Sequence, residues 1–314
     1  MNNINGFIEP KVNDSSLVFI LSLHRSGSTI LYSLLAKTGC FNVITNYHIL
    51  NYEDLSYNHQ KNNEENAKAI LGTLIEKRRI TDRGIDRIQV TPDMPQEYGY
   101  LYLRKGFSSK TCLKNLWLLE NLIENVQQID GKTKPLLLKN PYDFTNFIFL
   151  KKIYPKAKFI FIHRNPYDTL NSLMNTWRTI LREKNNYTMF MSKKYEEFLD
   201  NPIALSLAQW FYTYPFSPGF FSEIFSTSRQ TKYFLNNQGN LPTTDFINIT
   251  YEALVQAPND TIQGILNFYD LKSKIDLGNS LNPRNQERIK EIQIFRRLIY
   301  FSMKSYFDFF NYSW

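Results

Sequence analysis

The sequence predicts an α/β protein with a central, mostly parallel sheet of four to five strands flanked by helices. Four short runs carry the β-branched and aromatic residues of strands, with helical patterns between them. The runs are apolar continuously rather than alternately, as in strands covered on both faces of a parallel sheet.

The first run, residues 17–23 (LVFILSL), passes directly into a helix over 30–37. Helical patterns over 66–79 and 109–128 fill the long interval before the second run, 136–139 (LLLK). A helix over 144–153 joins it to the third run, 158–163 (KFIFIH), and a helix over 167–182 leaves that strand. The fourth run is 245–250 (DFINIT). No composition break marks a linker, so the 314 residues read as one domain, 1–314, enlarged by a helical cap from insertions at about 47–107 and 177–240.

With 37 Lys and Arg against 29 Asp and Glu, the chain carries a formal charge of +8. That surplus points to an anionic partner: nucleic acid, a membrane surface or a phosphorylated small molecule. Cys40 and Cys112 are too few for a disulfide framework or a four-thiolate zinc site, and they fit a reducing compartment. The apolar stretch 17–21 is far short of the ~20 residues of a membrane span. No signal-peptide pattern is present. The expectation is a cytoplasmic protein without membrane insertion.

Two loops carry the chemistry. The first strand ends in His24-Arg25-Ser26-Gly27-Ser28-Thr29, directly before a helix. Small residues at such a turn let backbone N–H groups curl around an anion, and the helix N-terminus adds partial positive charge. Ser28 and Thr29 offer hydroxyls, and Arg25 offers charge-assisted bonds. The ATP-type loop needs Gly-x-x-x-x-Gly-Lys-Ser/Thr; here the lysine is absent and the loop is shorter. The third strand ends in His163-Arg164-Asn165-Pro166-Tyr167-Asp168, with Ser172 about two turns up the next helix. Ligands of open α/β sheets bind beyond the strands' carboxyl ends. Two anion sites there call for a ligand with two separated anionic groups.

These residues resemble a family. Arg-Ser-Gly-Ser-Thr (25–29), with Arg-Asn-Pro-x-Asp-x-x-x-Ser (164–172), is similar to the paired signatures of sulfotransferases that use 3′-phosphoadenosine 5′-phosphosulfate (PAPS). Leu-Lys-Asn-Pro (138–141), Tyr-Pro-Lys-Ala-Lys-Phe (154–159) and Tyr-Glu-Ala-Leu (251–254) continue the resemblance, which spans roughly 17–271. It lies nearest the branch of tyrosylprotein and bacterial sulfotransferases. The resemblance implies a three-layer P-loop-like fold and PAPS as co-substrate, with adenosine 3′,5′-bisphosphate (PAP) as product and no metal. It implies that Arg25, Ser26, Gly27, Ser28 and Thr29 hold the 5′-phosphosulfate, Arg164 and Ser172 the 3′-phosphate, and Tyr251 the adenine. Arg25 would stabilise charge on the leaving phosphate, and Lys139 matches the lysine that contacts the sulfuryl group.

The catalytic base is less defined. The cytosolic enzymes place a histidine where this chain has Pro141. The tyrosylprotein branch's spacing from Arg25 lands on Asn46, which cannot act as a base. His48 is the first candidate and Glu53 the second. His24 and His163 are expected to shape their loops. Arg284 or Arg288 stands as a candidate further contact to the 3′-phosphate.

Acceptor specificity is expected in the segments 47–107, 177–195 and 210–225, whose aromatic residues predict a pocket for an apolar or planar small-molecule acceptor. The expected reaction sulfates a hydroxyl, amine or guanidine in the tailoring of a secondary metabolite. The aromatic C-terminal segment 300–314 is expected to pack on the core or form a homodimer contact. Two other readings are a metal-dependent small-molecule or nucleotide kinase and a non-catalytic nucleic-acid binder. The kinase lacks its loop lysine and an Asp pair for Mg²⁺. The binder lacks a recognisable motif, so no nucleic-acid partner is expected.

Overall fold

The computed structural model describes residues 16–86, 88–273, 276, 281 and 287–313. Five strands form one parallel sheet: β1 (Leu17–Leu21), β2 (Asn42–Val43), β3 (Leu136–Lys139), β4 (Lys158–His163) and β5 (Phe246–Thr250). Their order is β2-β3-β1-β4-β5. The predicted α/β class and parallel sheet are present. The unanticipated strand, β2, has two residues, too few to show a pattern. Its pairing with Leu136 and Leu137 of β3 makes it a strand.

Side chains of successive strand residues point to opposite faces. Phe19, Leu21, Leu138, Phe159 and Phe161 enter one core, beside Leu119 and Ile123 of helix Leu116–Ile129 and Phe234 of helix Pro218–Asn237. Val18, Ile20, Leu137, Ile160 and Ile162 enter the other, with Leu31 and Leu35 of helix Ser28–Lys37 and Ile262 and Ile265 of helix Pro258–Phe268. Both faces are covered, which is why the runs lack alternation. Each such buried Phe or Ile contributes roughly 1.5–3 kcal/mol.

Two helices depart from expectation for local reasons. The helix predicted from residue 109 starts at Leu116. Before it, Asn115 accepts the Cys112 N–H and donates to the Lys110 carbonyl, folding this segment as a loop. The helix predicted over 144–153 is divided: Pro141–Asn146 is 3-10, and the α-helix is Phe147–Ile153.

The first cap segment holds helices Asn46–Leu50, Leu55–Gln60, Glu64–Lys77 and Gly99–Arg104. The second holds Asn186–Met191, Lys193–Asp200, Pro202–Tyr212 and Pro218–Asn237. At the C-terminus, Tyr306 and Phe307 are buried, and Phe310 stacks on His163 with centroids 4.1 Å apart. That segment therefore packs on the sheet within the chain; Phe301 and Phe309 stay exposed, and Trp314 lies outside the described residues. Among the described residues no helix is long and apolar enough to cross a membrane.

Candidate functional site

The strand order sets the position of the site. From β1 the chain goes to β2 and β3 on one side, whereas β4 and β5 lie on the other. A crevice therefore opens where the carboxyl ends of β1 and β4 diverge. The loop after β1 turns there through two left-handed residues, Arg25 (φ 69°) and Gly27 (φ 91°). Gly27 caps helix Ser28–Lys37. A Cβ at Gly27 would lie 2.4 Å from Cδ2 of Tyr251, so both the backbone angle and the close ring require glycine.

The loop after β4 meets this turn. Asn165 accepts the Tyr167 N–H, and Pro166 begins helix Pro166–Glu183, which explains the Asn-Pro pair. Arg164 donates from Nη1 to the Arg25 carbonyl at 3.0 Å, and its guanidinium lies 4.3 Å from the Tyr251 ring centroid. Arg25 donates from Nε to Ser172 Oγ at 3.2 Å. The two anion loops read from sequence are thus in direct contact. Asp86 lies 4.0 Å from Arg25 and 3.4 Å from Arg83.

Lys139, the last residue of β3, is 2% exposed. Its Nζ donates to Thr29 Oγ1 at 2.8 Å and to Glu97 Oε1 at 2.7 Å. Arg83, also buried, donates to Thr29 Oγ1 at 3.4 Å. Burial pushes the Glu97 carboxyl's pKa up, but Lys139 and Arg83 more than offset this and hold it below the ordinary glutamate value. His24 has its pKa pulled down to about 4, first by burial and then by Lys139 and Arg25, so at neutral pH it is an uncharged imidazole.

Behind this pair, the buried Asp143 accepts five hydrogen bonds: from Tyr98 Oη (2.7 Å), Thr111 N (2.9 Å) and Oγ1 (2.6 Å), Asn140 Nδ2 (2.8 Å) and Asn146 Nδ2 (2.9 Å). Tyr98 follows Glu97 and Asn140 follows Lys139, so one carboxylate ties together the neighbours of both members of the pair.

These groups border a cleft of about 1420 Å³, above the ~300–1,000 Å³ of a single-ligand pocket. Helix Pro166–Glu183 lines it with Thr169, Ser172, Leu173, Thr176, Trp177 and Ile180, and helix Pro218–Asn237 with Glu223, Ser226, Thr227 and Gln230. Both sets follow helical spacing and form one stripe per helix. The two stripes mix polar with apolar side chains. Of the aromatics in the segments 177–195 and 210–225, Trp177 and Tyr195 reach the cleft, whereas Phe220 is in the core and Trp210 and Tyr214 are exposed.

Sequence-predicted residues divide accordingly. Arg25, Gly27, Ser28, Thr29, Arg164, Ser172 and Tyr251 line the cleft, with Ser26 and Lys139 buried beside it. The two base candidates are elsewhere. His48 is buried away from the cleft lining, its Nδ1 accepting the Thr45 N–H at 3.1 Å in a capping box, and burial pulls its pKa down to about 4. The exposed Glu53 pairs with Lys105. Arg288 makes two bonds to Asp168, at 2.8 and 3.2 Å, and Arg284 lies outside the described residues. Sequence reasoning missed Glu97, Arg83 and Asp86, which all sit in the first cap segment. They lie in a loop without regular pattern, over 80–107, that carries no local signal for them.

An anionic ligand fits the donors present. Ser26 Oγ, Arg83 Nε and Arg164 Nε are buried with no hydrogen-bond partner among the described residues, and buried donors of this kind normally have one. Among the described residues no group of three or more His, Cys, Asp or Glu is placed to hold a metal ion. Fold and site together define a class: an α/β group-transfer enzyme that takes an anionic ligand at the switch point of its sheet, beside a buried Lys–Glu pair. The family model described as "Sulfotransferase family" matches residues 17–274, and the chain belongs to that family. It is a sulfotransferase of the PAPS-dependent kind.

Among solved structures the chain is similar to sulfotransferase STF9 from Mycobacterium avium, at TM-score 0.58 and 17% identity over 95% of this chain and 77% of that one. It is also similar to sulfotransferase STF1 from Mycobacterium tuberculosis H37Rv, at TM-score 0.57 and 14% identity over 92% and 76%. These likenesses are of fold. No curated protein sequence matches the chain.

Proposed function

We propose that this enzyme moves the sulfuryl group of PAPS to a hydroxyl or amine of a small molecule held in the cleft, with Glu97 as the base. One observation carries the reading: Lys139 Nζ bridges Glu97 Oε1 (2.7 Å) and the Thr29 hydroxyl of the anion loop (2.8 Å). The pair thereby joins the anion site to a carboxylate that lines the cleft.

PAPS supplies the activated sulfuryl group and a phosphate leaving group. Ser26, Gly27, Ser28 and Thr29 would hold its 5′ end, Arg164 and Ser172 its 3′-phosphate, and Tyr251 its adenine. Arg25 and Lys139 place positive charge where the leaving oxygen becomes negative. Glu97, ionised at neutral pH because its cations hold its pKa down, accepts the acceptor's proton. Tyr98 and Asn140, fastened by Asp143, fix where Glu97 and Lys139 stand.

The reading extends to a cytoplasmic step tailoring a secondary metabolite. The free thiols of Cys40 and Cys112 support the reducing compartment, and a cleft walled by two helices supports the small acceptor. The test is transfer of labelled sulfate from PAPS across hydroxyl, phenol, amine and guanidine acceptors without added Mg²⁺. Label on an acceptor, lost in Glu97→Gln, is the expected result. Phosphate transfer from Mg-ATP in place of sulfate transfer would overturn the reading.

A further inference from the structure

Four carboxylates line the cleft: Asp86, Asp93, Glu97 and Glu223. Three have a cation. Glu97 lies 2.7 Å from Lys139, Asp93 2.9 Å from Lys68, and Asp86 3.4 Å from Arg83. Glu223 has no cation within 4.0 Å among the described residues. It accepts the Trp177 indole N–H at 3.1 Å. That is one neutral donor on a group with about four acceptor positions. Burial raises its pKa above the ordinary carboxyl value, a penalty that a counter-ion relieves.

The surroundings suit a cationic group. Trp177, stacked on Tyr212 with centroids 4.8 Å apart, lines the cleft beside Glu223, and an indole face attracts cations. Thr176, Ser226, Thr227 and Gln230 complete a polar wall. Trp177 follows Ser172 by five residues, so it stands about 7.5 Å further along the helix axis. Ser172 bonds Arg25 at the anion site. Glu223 shares the cleft with Arg25, Thr29 and Glu97, so one small molecule can present its nucleophile to them and its other end to Glu223.

We infer that the acceptor carries an ammonium or guanidinium group that Glu223 binds, so that the substrate class is a polar, amine-bearing alcohol or phenol. The inference rests on the sulfotransferase reading above and assigns the far end of the same cleft. Glu223 is a specificity residue, remote from the transferred group.

The experiment uses isosteric probe pairs on PAP-saturated protein: tyramine against tyrosol, and glucosamine against glucose. Binding is followed by titration, and sulfation from labelled PAPS by product formation. The expected result is a preference of about tenfold or more for the ammonium member of at least one pair. Glu223→Gln should abolish that preference while leaving the PAP dissociation constant unchanged, which also shows the variant folded. Equal binding within both pairs, binding of none of the four, or a preference that survives in Glu223→Gln would overturn the assignment. Failure of the wild-type protein to bind PAP at all would instead remove the sulfotransferase reading on which it rests.

Discussion

Lys139 Nζ stands 2.7 Å from Glu97 Oε1, and both residues are buried. The strand end and the cap loop that carry them are joined again by the Tyr98 N–H, which donates to the Lys139 carbonyl at 3.2 Å. A buried ion pair contributes little net stability, but removing one partner strands the other's charge and costs about 3–5 kcal/mol. The pair's value lies in holding a base and a cation at fixed positions beside the anion loop.

Glu97→Gln should lower kcat by about 10²–10⁴-fold, the usual contribution of a general base. PAP affinity should change little. His48→Ala should lose about 1 kcal/mol through its capping box, and Glu53→Ala almost nothing, with turnover near normal in both. Steady-state sulfation by the three variants checks this; a near-normal rate for Glu97→Gln contradicts it.

The acid limb of the pH–rate profile should lie below the ordinary glutamate value of 4.5, because Lys139 and Arg83 outweigh the burial of Glu97. In Lys139→Met burial meets less opposition, so the limb should move up in pH while the overall rate falls. A limb that stays in place in Lys139→Met would assign the base elsewhere.

Gly27→Ala should unfold at lower temperature and bind PAP more weakly. An alanine at φ 91° is strained by about 1–2 kcal/mol, and its Cβ would displace Tyr251 from 2.4 Å. Thermal melts with and without PAP measure both effects.

Asp143→Asn should cost about 2–3 kcal/mol, since the new amide brings a donor into a site where five donors already point. Turnover should fall as well, because Tyr98 and Asn140 position Glu97 and Lys139. Denaturant unfolding beside kinetics separates the two losses.

Buried histidines set the acid stability. Burial pulls His24 and His48 down to about 4 and His163 to about 3, from 6.5. Below pH 6.5 the unfolded chain takes up protons that the folded chain refuses, so stability falls as pH drops from 6.5 towards 4. Each histidine accounts for up to about 3 kcal/mol. Melting temperature against pH should show this decline, and His48→Gln should flatten it.

The sheet was legible because burial on both faces leaves an uninterrupted apolar run, as in 158–163 (KFIFIH). The anion loops were legible because their chemistry is local: Gly27 must follow β1 and Asn165-Pro166 must follow β4. β2 was not, since two residues carry no periodicity. Glu97 was not, because it meets Lys139 across 42 residues of chain through a cap loop without regular pattern. The same holds for Glu223, whose neighbours in sequence resemble an aromatic core segment while its side chain faces the cleft.

The central claim is tested most directly by titrating the protein with adenosine 3′,5′-bisphosphate and with ADP, without Mg²⁺, for wild type and Arg164→Ala. The account predicts that the 3′,5′-bisphosphate binds wild type at least about tenfold tighter than ADP, and that Arg164→Ala removes the difference. Equal affinity for the two nucleotides, or a preference untouched by the loss of Arg164, would contradict it.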